Sequence, residues 1–305
     1  MPTKPRRSTH FILDFDGTIT QSDTLNTLVS IAASSKPEFP TQERWKAVVD
    51  AYISDYTATL EKLAPNGKFP TTVGGEKKLL RDLKAVEQRS LDRVFEARIF
   101  EGVTREVIEE GAERAVRGGE VGVREGCVGF MRSILASKED KLYVLSVNWS
   151  RHFIASCLKA AGVLVDPAVI LANELEGIAE ERASTGQISP EGSMKIVSSG
   201  DKLQYLEQIR EQGTARIVYI GDSWPDIECL LAADVGICIR DEPMGSSQRK
   251  LAEALERLEV ACPRILDHDG SAQSQVVWAK DFSEISTWLE NHRFEAESTR
   301  AGTAV

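Results

Sequence analysis

Asp14 and Asp16 stand two residues apart at the end of the apolar run Phe11-Ile12-Leu13, and Gly17 and Thr18 follow at once. Residues two apart on a strand share a face, so both carboxylates can look into one crevice at the carboxyl end of a sheet. Two anions that close repel unless a cation or a proton neutralises one of them, and both remedies belong to metal-assisted acid–base chemistry. The plainer alternative is a solvated turn in which an aspartate caps a helix. A second acidic cluster, Gly221-Asp222-Ser223-Trp224-Pro225-Asp226, follows another apolar run, with Pro225 where a helix can start. Mg²⁺ takes oxygen ligands and few protein carboxylates. Asp222 could therefore bind the ion directly while Asp226 binds it or its waters, unless Asp226 is only a favourable first-turn helix charge.

Two further residues supply what carboxylates lack. Ser146 closes the run beginning at Lys141, so its hydroxyl and the amides after it can donate to phosphoryl oxygens; a strand-end serine can equally do no more than cap a helix. Lys202 opens a helical stretch before the Asp222 strand and offers a cation. Asn148, Trp149 and Ser150 follow on the same loop, and Trp149 can be read as packing.

Those side chains need strands to carry them. Apolar runs at Phe11 to Leu13, Lys141 to Ser146 and Ala215 to Gly221 end at acidic or small polar residues, Val169 to Leu171 and Val235 to Ile239 are weaker versions, and Gln275 to Trp278 offers a late strand. Helical patterns lie between them at Gly126 to Ala136, Arg151 to Ala161, Asp201 to Gln212 and Pro225 to Ala233, with a last helix at Phe282 to Asn291. Strand–helix alternation predicts an α/β fold, a Rossmann-like doubly wound parallel sheet. One interruption breaks it: residues 23–125 carry amphipathic segments at 24–33, 41–62, 76–97 and 104–115, separated by Pro37, Pro65, Pro70 and Gly118-Gly119. A link of that length is a domain rather than a loop. The expected organisation is a discontinuous core of residues 1–22 and 126–294, an inserted all-helical domain of residues 23–125, and a frayed tail of residues 295–305.

The bulk chemistry narrows the partners. A formal net charge of −10 disfavours a surface built for the nucleic-acid backbone, though not a small anion in a local positive pocket. The 5 cysteines are scattered without a CxxC pair, which suggests neither a disulfide framework nor zinc. No apolar run has the length of a membrane span and Met1 to His10 lacks a signal-peptide core, so the expected location is cytoplasmic. The chain is expected to be a monomer or homodimer.

Asp14-Phe15-Asp16-Gly17-Thr18, Ser146, Lys202 and Gly221-Asp222-Ser223 with Asp226 together resemble the haloacid dehalogenase-like superfamily, over about Phe11 to Asp241. The resemblance implies that Asp14 attacks phosphorus to give an aspartyl-phosphate and that Asp16 protonates the leaving oxygen and then activates water. It implies that Ser146 holds the phosphoryl group and Lys202 neutralises it, with Mg²⁺ on Asp14, the Asp16 carbonyl, Asp222 and Asp226. Gly17, Thr18, Val147 and Asn148 become candidate substrate contacts. The helical insert resembles the C1-type cap of the phosphoserine phosphatase-like branch, in which an acidic residue nine positions past the nucleophile faces the substrate. Here that residue is Asp23, which can also be read as a helix N-cap. Leu171 to Leu175, Thr185-Gly186 and Arg240-Asp241 also look like that branch and like the phosphatase of methionine salvage. Leu145 to Ser150 departs from the usual Ser-Gly-Gly, which weakens phosphoserine itself as the substrate. The expectation is an Mg²⁺-dependent phosphomonoesterase acting on a small phosphorylated metabolite. The alternatives are a phosphotransferase or mutase, and a non-catalytic phosphometabolite-binding protein. Haloacid dehalogenation has no use for Asp16 as an acid or for Asp222 and Asp226 around a metal.

Overall fold

In the computed structural model, residues 8–190, 194–268 and 275–301 are described, residues 190 and 292–301 by backbone only. Strands β1 (Thr9–Leu13), β2 (Lys141–Leu145) and β3 (Ile170–Leu171) form one half of a parallel sheet. A hairpin of β4 (Asn173–Leu175) and β5 (Ile188–Pro190) stands apart from it. The other half is β6 (Arg216–Gly221), β7 (Val235–Ile239) and β8 (Val276–Ala279), giving the order β3-β2-β1-β6-β7-β8. In the centre, Leu13 is in register with both Val144 and Ile220. The carboxyl ends of β1, β2 and β6 therefore open side by side, as the chemistry requires.

Burial on both faces explains why β1 reads as a continuous apolar run instead of alternating. Phe11 and Leu13 pack on the side of α5 (Cys127–Leu135) and α6 (Arg151–Ala160), where Phe11 meets the Phe130 ring edge-on. Ile12 packs on the opposite side with Leu206, Leu230 and Leu255 of α7 (Ser199–Glu211), α8 (Ile227–Ala232) and α9 (Ser246–Arg257). Truncating Phe11 to alanine would cost about 3–5 kcal/mol, since the central strand has nothing to collapse into the space. Hydroxyl caps start several helices: Ser150 accepts from the Phe153 amide, and Ser198 from that of Asp201.

Between β1 and α5 the main elements are helical: α1 (Leu25–Ser34), α2 (Thr41–Leu63), α3 (Val73–Glu96) and α4 (Arg105–Arg117). Its two connections run together as a narrow neck, where Thr20 bridges Val123 and Gln21 N–H donates to Gly122 O at 2.8 Å. Helix α3 also rests on the core. Buried Glu76 accepts from Trp224 Nε1 at 2.6 Å and from Arg257 at 3.0 Å, while Lys84 pairs with Asp201 at 2.6 Å.

All six expected core strands are present. The β4–β5 hairpin and α9 were not anticipated, and α10 (Phe282–Ala301) runs past Asn291 into the stretch expected to fray. Of that expected tail, residues 302–305 lie outside the described residues, as do residues 1–7.

Candidate active site

The first carboxylate pair lies where β1 ends. After Leu13 the chain turns at Gly17, whose φ of +76° suits a residue without a side chain. A Cβ there would lie 2.4 Å from Asp222 Oδ2, so glycine also makes room for the second acidic cluster. Gly221 does the same for Asp226: a Cβ on it would lie 2.6 Å from the Asp226 carboxyl carbon.

Lys202 is 1% exposed and stands between two carboxylates, with Nζ 2.9 Å from Asp14 Oδ1 and 2.7 Å from Asp226 Oδ1. Burial alone would drive its ammonium toward the neutral form, but Asp14 and Asp226 outweigh it and hold the pKa above the ordinary lysine range. Asp226 has little left to offer a metal directly. Its Oδ1 also accepts from Tyr219 OH at 2.6 Å, and its Oδ2 accepts from the Ser223 hydroxyl and the amides of Ser223 and Asp222. Burial raises its pKa, yet Lys202 and these donors outweigh burial and keep it below the usual carboxylate range.

Asp14 and Asp222 are in the opposite condition. Burial, with repulsion from Asp226 and Asp222, holds the Asp14 carboxyl well above its ordinary range in spite of Lys202. Burial and the Asp226 charge push Asp222 up to about 7, although Thr18 Oγ1 donates to its Oδ1 at 2.9 Å. Ligand oxygens of Asp14, Asp222 and Asp226 all lie within 4.8 Å of one another, and all three residues are buried. Asp14 and Asp222, buried and less compensated than Asp226, form a donor set suited to a hard divalent cation.

Asp16 is placed differently. Its Oδ1 accepts from the Thr24 hydroxyl at 2.6 Å and amide at 2.8 Å, and its Oδ2 accepts from Asn148 Nδ2 at 2.9 Å. Burial and the nearby Asp23 raise its pKa, while these donors oppose the rise. Asp23 itself is exposed at the start of α1, where its Oδ1 accepts from the Leu25 amide at 2.8 Å. That contact is a helix-start role, next to Asp16 but outside the buried cluster.

Ser146 is fully buried at the end of β2, with its Oγ accepting from the Asn148 amide at 3.1 Å. The Val147 and Asn148 carbonyls accept from Asn173 Nδ2, each at 3.2 Å, and Asn173 also bonds both ways with the Ile196 backbone. Asn173 thus ties the Ser146 loop to the segment leading to Lys202. Trp149 meets Trp45 of α2 and Phe100 edge-on, which is the packing alternative.

Three contributors, Tyr219, Thr24 and Arg124, escaped the reading of the sequence, and Asn173 was noted only within the Leu171 to Leu175 run. Tyr219 and Thr24 hold catalytic candidates, and Asn173 fastens loops. Arg124 donates to Gly17 O at 2.7 Å and Thr18 O at 3.2 Å, and is gripped by Asp241, which Gln248 holds in turn. For Tyr219 the available signal was a hydroxyl on a strand ending in Asp222; Arg124 and Asp241 announce their pairing in no local pattern.

Residues 11–231 match the family model described as haloacid dehalogenase-like hydrolase, and the chain belongs to that family. It is 27% identical over 258 residues to a CTO1 family protein of Schizosaccharomyces pombe, covering 82% of this chain and 86% of that protein. It is also 27% identical over 247 residues to the mitochondrial bifunctional TH2 protein of Arabidopsis thaliana, covering 74% of this chain but 38% of the relative. Among solved structures, a phospho-aspartyl intermediate analogue of phosphoserine phosphatase aligns with 93% of this chain and 99% of its own, at a TM-score of 0.51 and 16% identity. A likeness at that identity confirms the α/β fold.

Proposed function

We propose that the chain is a phosphomonoesterase that hydrolyses a small phosphorylated metabolite through an aspartyl-phosphate on Asp14. The observation that carries this reading is Lys202 held between Asp14 and Asp226 beside a third buried carboxylate, Asp222. A structural ion pair needs one anion per cation, whereas this cluster has three carboxylates for one lysine, an excess suited to a divalent cation and a phosphoryl group. Mg²⁺ would be held by Asp14, the Asp16 carbonyl and Asp222, with Asp226 orienting Lys202 and the Asp222 loop; it would neutralise charge on the phosphoryl oxygens.

The chain's own groups then divide the work. A carboxylate oxygen of Asp14 attacks phosphorus in line as the ester oxygen departs with a proton from Asp16. Ser146 and the backbone after it donate to the phosphoryl oxygens, and Lys202 offsets the charge they share with Asp14. Asp16, now ionised, takes a proton from the water that hydrolyses the acyl phosphate, which restores both carboxyl groups. Val147, Asn148, Gly17 and Thr18 border the phosphoryl position, and Asp23 marks the rim.

The helices of residues 23–125 serve in this reading as a cap that excludes water during transfer. The paired neck at Thr20 and Val123 supports it, because a narrow two-strand connection is where such a body could pivot. Phosphoserine phosphatase among the fold neighbours supports the ester class, and the Asn148-Trp149-Ser150 loop argues for a different leaving group. The test is release of inorganic phosphate from a panel of phosphomonoesters with Mg²⁺ and with EDTA. Metal-dependent release, abolished in Asp14→Asn, is expected; undiminished release by Asp14→Asn overturns the assignment.

A further inference from the structure

Asn148 has no donor left to give a substrate. A primary amide carries two N–H hydrogens. Here Nδ2 donates to Asp16 Oδ2 at 2.9 Å and to Thr24 Oγ1 at 3.3 Å, while Oδ1 accepts from the Ser150 amide at 3.2 Å. The residue is 4% exposed. Thr24 closes a ring by donating its own hydroxyl and amide to Asp16 Oδ1, at 2.6 and 2.8 Å. Asp16 is thus gripped from two bodies of the fold: on Oδ1 by the residue that opens α1, and on Oδ2 by the loop after β2.

The two oxygens are not equivalent in this grip. A carboxylate oxygen has two lone pairs. Both of Oδ1's meet N–H or O–H donors, so a proton on Oδ1 would face a donor. Oδ2 meets one donor and keeps a lone pair for a proton. We propose that Asn148 and Thr24 are positioning residues that make Oδ2 the oxygen from which Asp16 gives its proton to the departing ester oxygen. This rests on the reading of Asp16 as the acid. As the Oδ2–H bond breaks, the proton goes to the ester oxygen, whose bond to phosphorus breaks with its electron pair retained on oxygen. Negative charge then appears on Asp16 Oδ2, and the Asn148 N–H already points at it. A hydrogen bond strengthens when its acceptor becomes ionised, so the Asn148 contact favours the transition state over the ground state.

The test uses the full chain with substituted phenyl phosphates of similar shape and different leaving-group acidity. Departing p-nitrophenolate needs little help from an acid, whereas p-methoxyphenolate needs much more. In Asn148→Ala and Thr24→Val, kcat/KM for the p-methoxy ester should fall by about tenfold or more and for the p-nitro ester by less than about threefold. Thr24→Ser, which keeps the hydroxyl, should stay within about threefold of the wild type on both esters. The main-chain anchors of this loop, the Asn148 amide on Ser146 and its carbonyl on Asn173, do not depend on the Asn148 side chain, so Asn148→Ala should fold. An equal fall on both esters would mark a general distortion, and no fall at all an idle contact; either overturns the proposal. Wild-type protein that hydrolyses neither ester would instead remove the phosphomonoesterase reading on which it rests.

Discussion

Replacing Lys202 with methionine removes one charge while keeping an unbranched side chain of similar length. The ammonium lies 2.9 Å from Asp14 Oδ1 and 2.7 Å from Asp226 Oδ1. At an effective dielectric constant of about 20, each such pair is worth about 6 kcal/mol of attraction, opposed by the desolvation of all three groups. Breaking a buried pair from one side costs about 3–5 kcal/mol. The loss falls mainly on Asp14, because Asp226 keeps Tyr219 and the Ser223 donors. Asp14, already raised by burial and by its acidic neighbours, rises further without the cation. A folded carboxyl with a raised pKa binds a proton that the unfolded chain has released, so its contribution to stability declines as pH rises above the ordinary carboxylate range. Urea unfolding of metal-free Lys202→Met should therefore show a loss of about 3–5 kcal/mol at pH 8 and a smaller one at pH 5. Phosphate release should fall by at least about a hundredfold. Stability within about 0.5 kcal/mol of the wild type at pH 8 would refute the claim that Lys202 holds the carboxylates together.

Three other outcomes follow from particular contacts. Gly17→Ala meets both a φ of +76° and Asp222 Oδ2 at 2.4 Å, so kcat should fall by about tenfold or more in steady-state assays; near-wild-type activity would show that the turn can relax. Asp222, raised by burial and Asp226 to about 7, holds its proton in the folded, metal-free protein over a range where the unfolded chain has lost it. Its contribution to stability declines as pH rises from about 4 to about 7, and under the proposed metal binding a divalent cation would take the proton's place above that range. Mg²⁺ should accordingly raise the melting temperature more at pH 8 than at pH 5, and an equal rise at both would contradict the metal assignment of Asp222. Glu76→Ala leaves Arg257 and the Trp224 indole without their buried acceptor, which should cost about 3–5 kcal/mol in urea unfolding; a loss under about 1 kcal/mol would mean that α3 docks without help from the Glu76 contacts.

Most of the sheet was legible because a parallel strand covered on both faces must be apolar along its whole length, and because three of those runs, β1, β2 and β6, led into Asp14, Ser146 and Asp222. The insert was legible for the converse reason: long amphipathic helices leave a periodic trace. Strands β4 and β5 are three residues each and are joined through the stretch from Glu176 to Gln187, so neither period nor turn chemistry marks them as a pair. Helix α9 did leave a trace, since Leu251, Ala254, Leu255 and Leu258 recur at helical spacing after a Gly-Ser-Ser start. In the site, side chains two to four residues apart could be grouped by sequence alone. Partnerships across the fold, such as Asn148 with Asp16 and Arg124 with Asp241, depend on which segments the folded sheet brings side by side. The sequence suggested Asn148 and Asp23 as substrate contacts from their position in the chain. The folded chain adds what position cannot: Asn148 spends its donors on Asp16 and Thr24, and Asp23 accepts from the start of α1.

Covalent phosphorylation of Asp14 is read most directly by acid quenching during turnover, followed by proteolysis and mass spectrometry of the peptide containing Asp14. The expected result is one phosphoryl group on that peptide, present in the wild type and absent in Asp14→Asn. Phosphate release by the wild type with the Asp14 peptide unmodified at every quench time, together with retained turnover in Asp14→Asn, would contradict it.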